Sequence, residues 1–210
     1  MKIVQPLVAV ANEHHFALQI CGFGPIAAAA RTAGLIARYQ SKRVILLGIA
    51  GAYNISQTPI GSAHRFSEVA CDGIGVGSGI DHQSASKMGW HQFNVGDAQP
   101  EIDDSIELDS WLVRGLPNTG KLLTVCSASA NEAEALRRTK MHPNAVAEDM
   151  EGFGVAMSCA LARVPLQIVR GISNRAGDRK HGDWRIEEAL RVAAEMAMQL
   201  IPRTWMPSQS

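Results

Sequence analysis

Residues 16–51 read FALQICGFGPIAAAARTAGLIARYQSKRVILLGIAG, and this stretch decides the fold class. Phe16 to Cys21 reads as a short apolar strand. Pro25 to Tyr39 reads as a helix opened by a proline at its first position, where the missing N–H is one that a helix leaves unpaired anyway. Arg43 to Ala50 is a β-branched apolar run, as expected of a strand buried on both faces. Strand, helix and strand in succession form a βαβ unit, and such units build a sheet with helices packed against it.

Working outward, the same alternation continues without an internal repeat. Lys121 to Ser127 reads as a strand, Asn131 to Thr139 as a helix and Ala145 to Glu148 as a strand. Gly152 to Arg163 reads as a buried helix and Val164 to Ile172 as another buried strand. A last amphipathic helix is expected from about Trp184 to Leu200, followed by a loose tail over 202–210. Gly73 to Pro117 is rich in Gly, Asp, Ser and Gln, and is expected to hold loops and a short helix over one face of the sheet. The expected fold class is α/β, one domain over 1–210.

At 210 residues, with 46% apolar and 19% charged side chains, the chain can bury a core of its own. Lys plus Arg and Asp plus Glu balance at 20 each, so no net field gathers nucleic acid or an anionic membrane. No apolar run approaches the roughly 20 residues of a membrane span, and no basic-then-apolar leader opens the chain. Cys21, Cys71, Cys126 and Cys159 are widely spaced in apolar contexts, as reduced buried thiols are, which indicates a cytoplasmic protein. So small a net charge also favours self-association into a homo-oligomer.

Four motifs carry chemistry. Gly22-Phe23-Gly24-Pro25-Ile26-Ala27 matches the dinucleotide fingerprint, but the next strand ends in Gly48-Ile49-Ala50-Gly51 without the acid that would hold a ribose. A tight strand-to-helix turn is the better reading. Gly48-Ile49-Ala50-Gly51-Ala52 closes a buried strand with small residues, at the strand end where open α/β sheets bind ligands, or simply where a turn needs glycine. Glu148-Asp149-Met150-Glu151 sets three carboxylates before an apolar helix. Acids are stabilised by a helix N-terminus without any function, yet between a buried strand and a buried helix an unpaired carboxylate is costly, so a partner is expected. A carboxylate accepting from two vicinal hydroxyls would suit a ribose. The seven histidines are scattered without ligand spacing, so neither metal nor cofactor is expected. Arg170-Gly171-Ile172-Ser173-Asn174 leaves the strand Val164 to Ile172 and gains meaning from the acids before it.

Together, the G-F-G-P-I-A turn, G-I-A-G, E-D-M-E-G and R-G-I-S-N-R resemble, in order and spacing, the superfamily of nucleoside phosphorylases and nucleosidases. Within it the chain most resembles the futalosine hydrolases, over roughly Ala17 to Leu200. The resemblance implies a twisted mixed central sheet with helices on both faces, assembly at least as a homodimer, and a purine nucleoside as the small-molecule partner. It implies that Glu151 and Asn174 are catalytic. Glu151 would hold the ribose hydroxyls and Met150 would pack on the sugar. Ile49, Ala50 and Gly51 would line the ribose, while Ser127, Ala128 and Ser129 would lie along the purine. Asn174 would stand at N7 and the C6 substituent. There an aspartate suits a 6-aminopurine, whereas an asparagine can donate to a 6-oxo oxygen and accept a proton on N7.

The implied reaction is hydrolysis of an N-glycosidic bond, futalosine giving hypoxanthine and dehypoxanthine futalosine in menaquinone biosynthesis. Phosphorolysis, methylthioadenosine/adenosylhomocysteine hydrolysis and nucleoside binding without catalysis are the alternatives. Phosphorolysis would need arginines beside G-I-A-G; Gly48 to Gly61 has none, leaving Arg31, Arg43 and Arg65. The resemblance also implies a first strand and a water-activating acid ahead of the G-F-G turn. Only twenty-one residues precede Gly22, and Met1 to Val10 with Pro6 reads as the remainder of a helix, so that strand is expected to be missing. Glu13 and His15 are the nearby polar substitutes.

Overall fold

A computed structural model of the chain describes residues 16–96, 101–108 and 118–201. In chain order its elements are Pro25–Tyr39 (α1), Val44–Ala52 (β1), Ala63–Arg65 (β2), Glu68–Cys71 (β3), Gly75–Val76 (β4), Gln83–Ser84 (β5), Ser105–Glu107 (β6), Lys121–Thr124 (β7), Glu132–Met141 (α2), Ala145–Asp149 (β8), Gly152–Leu161 (α3), Leu166–Arg175 (β9) and Ile186–Gln199 (α4). Seven strands form one sheet in the order β2-β9-β1-β8-β7-β3-β6, and β4 pairs with β5 in a small separate ribbon. β1 runs parallel to β9 and antiparallel to β8, and β7 is parallel to both β3 and β8, so the sheet is mixed as expected.

Successive side chains of a strand point to opposite faces, and here both faces are covered. Leu46 of β1 and Ile168 and Ile172 of β9 pack with Phe153, Val155 and Ala156 of α3 and Ala28 of α1. Ile45 and Leu47, one residue out of step with Leu46, pack with Val169, Ala193 and Met196 of β9 and α4. Burial on both faces explains why β1 and β9 read as continuous apolar runs. α2 starts at the Asn131 cap, whose side chain accepts from the Glu134 N–H at 2.9 Å.

Several expectations change. Residues 16–21 form no strand, and Ile20 is 84% exposed. A strand needs a neighbouring strand to satisfy its backbone groups, and no β-ladder among the described residues includes this segment. The 73–117 stretch does contain loops, but it also supplies β6, which pairs antiparallel with β3 at the sheet's edge. β9 continues past the expected Ile172, because Asn174 and Arg175 pair with Gly51 and Ala52 across a bulge. Cys126 is exposed rather than buried, and Cys21 is half-buried; all four cysteines are free thiols. The tail over 202–210, the helical reading of Met1 to Val10, and Glu13 and His15 lie outside the described residues. Among the described residues no helix is long and apolar enough to cross a membrane.

Candidate active site

Strand register brings the separate motifs together. Gly51 of β1 lies opposite Glu148 of β8 on one side and Asn174 of β9 on the other. The loop after β7 joins this row, because the Ser129 N–H donates to Glu148 Oε1 at 2.8 Å. Segments more than a hundred residues apart thus converge at one end of the sheet, where β8 passes into α3.

The three acids of E-D-M-E have three different fates. The Asp149 side chain is 0% exposed. It accepts from Thr124 Oγ1 at 2.7 Å, from the Gly152 N–H at 2.9 Å and from Arg170 Nε at 3.0 Å, with Arg170 Nη2 as a further donor. Glu148 is equally engaged, by the Ser129 N–H and hydroxyl, the Tyr53 hydroxyl and Arg138. Glu151 is different. Its contacts are long, 3.2 Å from the Gly24 N–H to Oε1 and 3.4 Å from Arg170 Nη2 to Oε2, and its side chain keeps 16% exposure. Of the three, it alone combines few, long contacts with an opening for a ligand.

The glycines on either side serve this carboxylate. Gly24 has φ +80°, a conformation that favours glycine, and caps α1 with its N–H turned toward Glu151. That contact gives the G-F-G turn a use unrelated to dinucleotides. Gly48 pairs with Arg170 across β1 and β9, and a Cβ at Gly48 would overlap the Arg170 guanidinium. Gly48→Ala is therefore expected to push Arg170 off both carboxylates. Because ångström displacements at a reacting centre are amplified, kcat/KM should fall by roughly 100-fold, checked by steady-state kinetics alongside circular dichroism.

Asn174 is buried, and its amide is held locally: Oδ1 accepts from Ser173 Oγ at 2.8 Å and Nδ2 donates to the Arg175 carbonyl at 2.8 Å. A carboxamide has two N–H groups and two acceptor sites. One of each remains for a ligand. Met150 is half-buried and packs against the cluster of Ala70, Leu123 and Val125. Ile49 and Gly51 are half-buried, whereas Ala50 packs into the core and its carbonyl accepts from Ser173 Oγ at 3.4 Å. Ser127 is exposed and Ala128 half-buried, while Ser129 is fully buried behind them with its N–H and hydroxyl both on Glu148.

Two arginines complete the site, Arg170 and Arg138. Arg170 carried a signal, since a lone cation in an apolar strand facing a triple acid implies charge pairing. Arg138 carried none, because a basic residue late in a short helix is ordinarily solvated. A separate set on the Phe93–Ile102 bridge brings donor atoms of His91, Glu101 and Asp103 within 4.8 Å of one another. The hydrogen bond to Asp103 raises the exposed His91 imidazole above its ordinary pKa. An imidazole hydrogen-bonded to Asp103 with Glu101 beside it accounts for this cluster without a metal ion.

Residues 7–203 match the model of a family described as the phosphorylase superfamily. A futalosine hydrolase of Streptomyces coelicolor is 29% identical over 199 residues, covering 91% of this chain and 82% of the relative. A 5′-methylthioadenosine/S-adenosylhomocysteine nucleosidase of Colwellia psychrerythraea is 27% identical over 184 residues, covering 86% and 74%. Among solved structures, the native futalosine hydrolase of Helicobacter pylori superposes with a TM-score of 0.70 at 14% identity, over 95% of this chain and 92% of that one. The Colwellia nucleosidase in complex with adenine gives 0.63 at 24% identity, over 86% and 73%. These superpositions agree with the mixed sheet and its flanking helices.

Proposed function

The chain belongs to the phosphorylase superfamily, and from that premise we propose that it is an N-glycosidase hydrolysing a 6-oxopurine nucleoside, with futalosine as the preferred substrate. The observation that carries this reading is the pairing of two half-satisfied groups at one end of the sheet. Glu151 is the acid with acceptor capacity to spare, and Asn174 is an amide with one donor and one acceptor remaining.

In the reaction the C1′–N9 bond breaks as the sugar becomes oxocarbenium-like, and the bonding pair leaves with the base. The base takes a proton from solvent at N7, and water adds its oxygen to C1′ and releases a proton to solvent, so the net change is one water consumed. Glu151 accepts from the ribose hydroxyls and sets a negative charge beside the cationic sugar. Arg170, anchored on Asp149, limits where that carboxylate can swing. On the leaving group, Asn174 Oδ1 accepts the proton on N7 and Nδ2 donates to O6, so charge spreading into the purine is met by both ends of the amide. Met150, Ile49 and Gly51 flank the sugar and Ser127 and Ala128 flank the base. One of the three arginines left for phosphate, Arg65, is buried with Nε on Gln167 Oε1 at 2.8 Å, which supports hydrolysis over phosphorolysis.

A second reading, hydrolysis of methylthioadenosine or adenosylhomocysteine, is favoured by the near-equal identity to the Colwellia nucleosidase. Residue 174 separates the two. In phosphate-free buffer the protein should release hypoxanthine from futalosine; a strict need for phosphate would overturn hydrolysis. Asn174→Asp should lower kcat/KM for futalosine by about 10- to 100-fold, since a buried polar mismatch costs about 1–3 kcal/mol, and should raise adenine release from methylthioadenosine. Futalosine as substrate would place the enzyme in menaquinone biosynthesis. A cytoplasmic location and at least two copies per assembly complete the proposal; the exposed Phe23, Ile26 and Ile80 support self-association.

A further inference from the structure

Beside the Asp149–Arg170–Glu151 cluster lies a second buried charge network that the bond-breaking steps do not use. The Glu148 side chain, 6% exposed, accepts from the Ser129 N–H at 2.8 Å, Ser129 Oγ at 2.6 Å, the Tyr53 hydroxyl at 2.8 Å and Arg138 Nη1 at 3.2 Å. Arg138 projects from α2 with its side chain 5% exposed. Its Nε bonds Asp72 Oδ2 at 3.1 Å, its Nη1 also reaches Ser129 Oγ at 2.8 Å, and its Nη2 bonds the Ser127 carbonyl at 2.7 Å and Glu134 Oε1 at 3.0 Å. Asp72 is held from its other oxygen by His142 Nε2 at 2.9 Å.

Stability alone is a poor explanation for such a network, because a buried ion pair gives back in desolvation much of what it gains, and an apolar packing of similar volume often does as well. What the network does fix is one short segment. Its bonds reach the Ser127 carbonyl, the Ser129 N–H and the Ser129 hydroxyl. Burial and the Glu148 carboxylate push the Tyr53 phenol well above its usual pKa, so its hydroxyl stays a donor to Glu148.

The consequence for recognition follows from peptide planarity. In a trans peptide the carbonyl of one residue and the N–H of the next point in opposite directions. With the Ser127 carbonyl turned inward onto Arg138, the Ala128 N–H points the opposite way, away from the buried network, and Ser127 itself is exposed. The segment then offers donors outward, the Ala128 N–H and the Ser127 hydroxyl, while its carbonyl is occupied. An oxo group can accept from both of these donors, whereas an exocyclic amine, which donates, finds only the Ser127 hydroxyl oxygen once the Ser127 carbonyl is occupied.

We propose that Arg138 and Glu148 are positioning residues for base specificity, fixing the Ser127–Ala128 peptide with its N–H toward the ligand so that the site selects a 6-oxopurine over a 6-aminopurine. This rests on the reading of the 127–129 segment as the wall of the base site.

The test is the ratio of Kd for free adenine to Kd for free hypoxanthine, measured by calorimetry on the full chain. The wild type should prefer hypoxanthine. Arg138→Met should shrink the ratio by about tenfold, the scale of one misdirected hydrogen bond, and Arg138→Lys should recover part of it. Tyr53→Phe, which removes a single bond and is mild toward folding, should shrink the ratio by about twofold and carries the test if Arg138→Met fails to fold. Equal weakening of both bases in these variants, or an unchanged ratio, would overturn the positioning role while leaving the proposed activity standing. A wild type that binds neither base, or prefers adenine, would overturn both.

Discussion

Glu151→Gln should leave the protein folded and cost roughly 100- to 1,000-fold in kcat on futalosine, the range for removing one electrostatic stabiliser of a transition state. The substitution keeps the side chain's length and an acceptor for the Gly24 N–H. It does not disturb the core pairing, because Arg170 keeps Asp149 as its principal partner through Nε and Nη2. What disappears is the negative charge facing the developing oxocarbenium ion, an interaction stronger in the transition state than in the bound substrate. The loss should therefore fall mainly on kcat, with KM changing less. Single-turnover measurement at saturating futalosine, with the melting temperature taken in parallel, is the check. A kcat within about threefold of wild type would contradict the assignment of Glu151.

Arg170→Met is expected to be the most destabilising single change in the site. Asp149 has no solvent exposure, and Arg170 is the cation it pairs with. Removing one partner of a buried pair leaves an uncompensated charge and costs about 3–5 kcal/mol, which in a chain of this length is roughly 6–20 °C in Tm. Removing both partners is different, because the fully buried carboxylate goes with the cation and the acid that remains, Glu151, is part-exposed. The double variant Arg170→Met, Asp149→Leu should unfold at a higher temperature than Arg170→Met alone, although activity stays lost in both for want of the Glu151 anchor. Additive destabilisation in the double variant would show that the pair is not coupled as described. Differential scanning calorimetry of the wild type, Arg170→Met, Asp149→Leu and the double variant decides it.

Legibility in the sequence followed the strength of the local pattern. The run Arg43 to Ala50, the helix opened by Pro25 and the apolar helix after E-D-M-E are recognisable because each carries a strong local signal. These are a β-branched apolar run, a proline at the first helical position and a nearly unbroken apolar composition, and all three elements are present there. β2, β3 and β6 are only three or four residues long, too short for a periodicity to register. Residues 16–21 show the opposite failure: an apolar run satisfies the local pattern, but regular pairing depends on a neighbour that local pattern does not encode. The end of β9 was misplaced for a related reason. Ser173 and Asn174 look like the start of a loop, and only the register with β1 holds them in the ladder.

The site was legible in part. Three acids in four residues announce that charge is being managed, and the resemblance selects Glu151 among them. Why Glu151 rather than its neighbours is a matter of geometry: Asp149 and Glu148 are surrounded by donors drawn from residues 53, 124, 129, 138, 152 and 170, and no spacing rule connects those positions. Arg138 sits late in α2 among Arg137, Thr139 and Lys140, and its composition gives no hint that it is buried.

The central claim is that this site cleaves a 6-oxopurine nucleoside with water. The most direct measurement is to incubate the protein separately with futalosine, inosine and methylthioadenosine, with and without phosphate, and to identify the released base by chromatography. Hypoxanthine from futalosine, at a rate unaffected by phosphate, is the result expected. Adenine from methylthioadenosine with futalosine left intact would contradict the account.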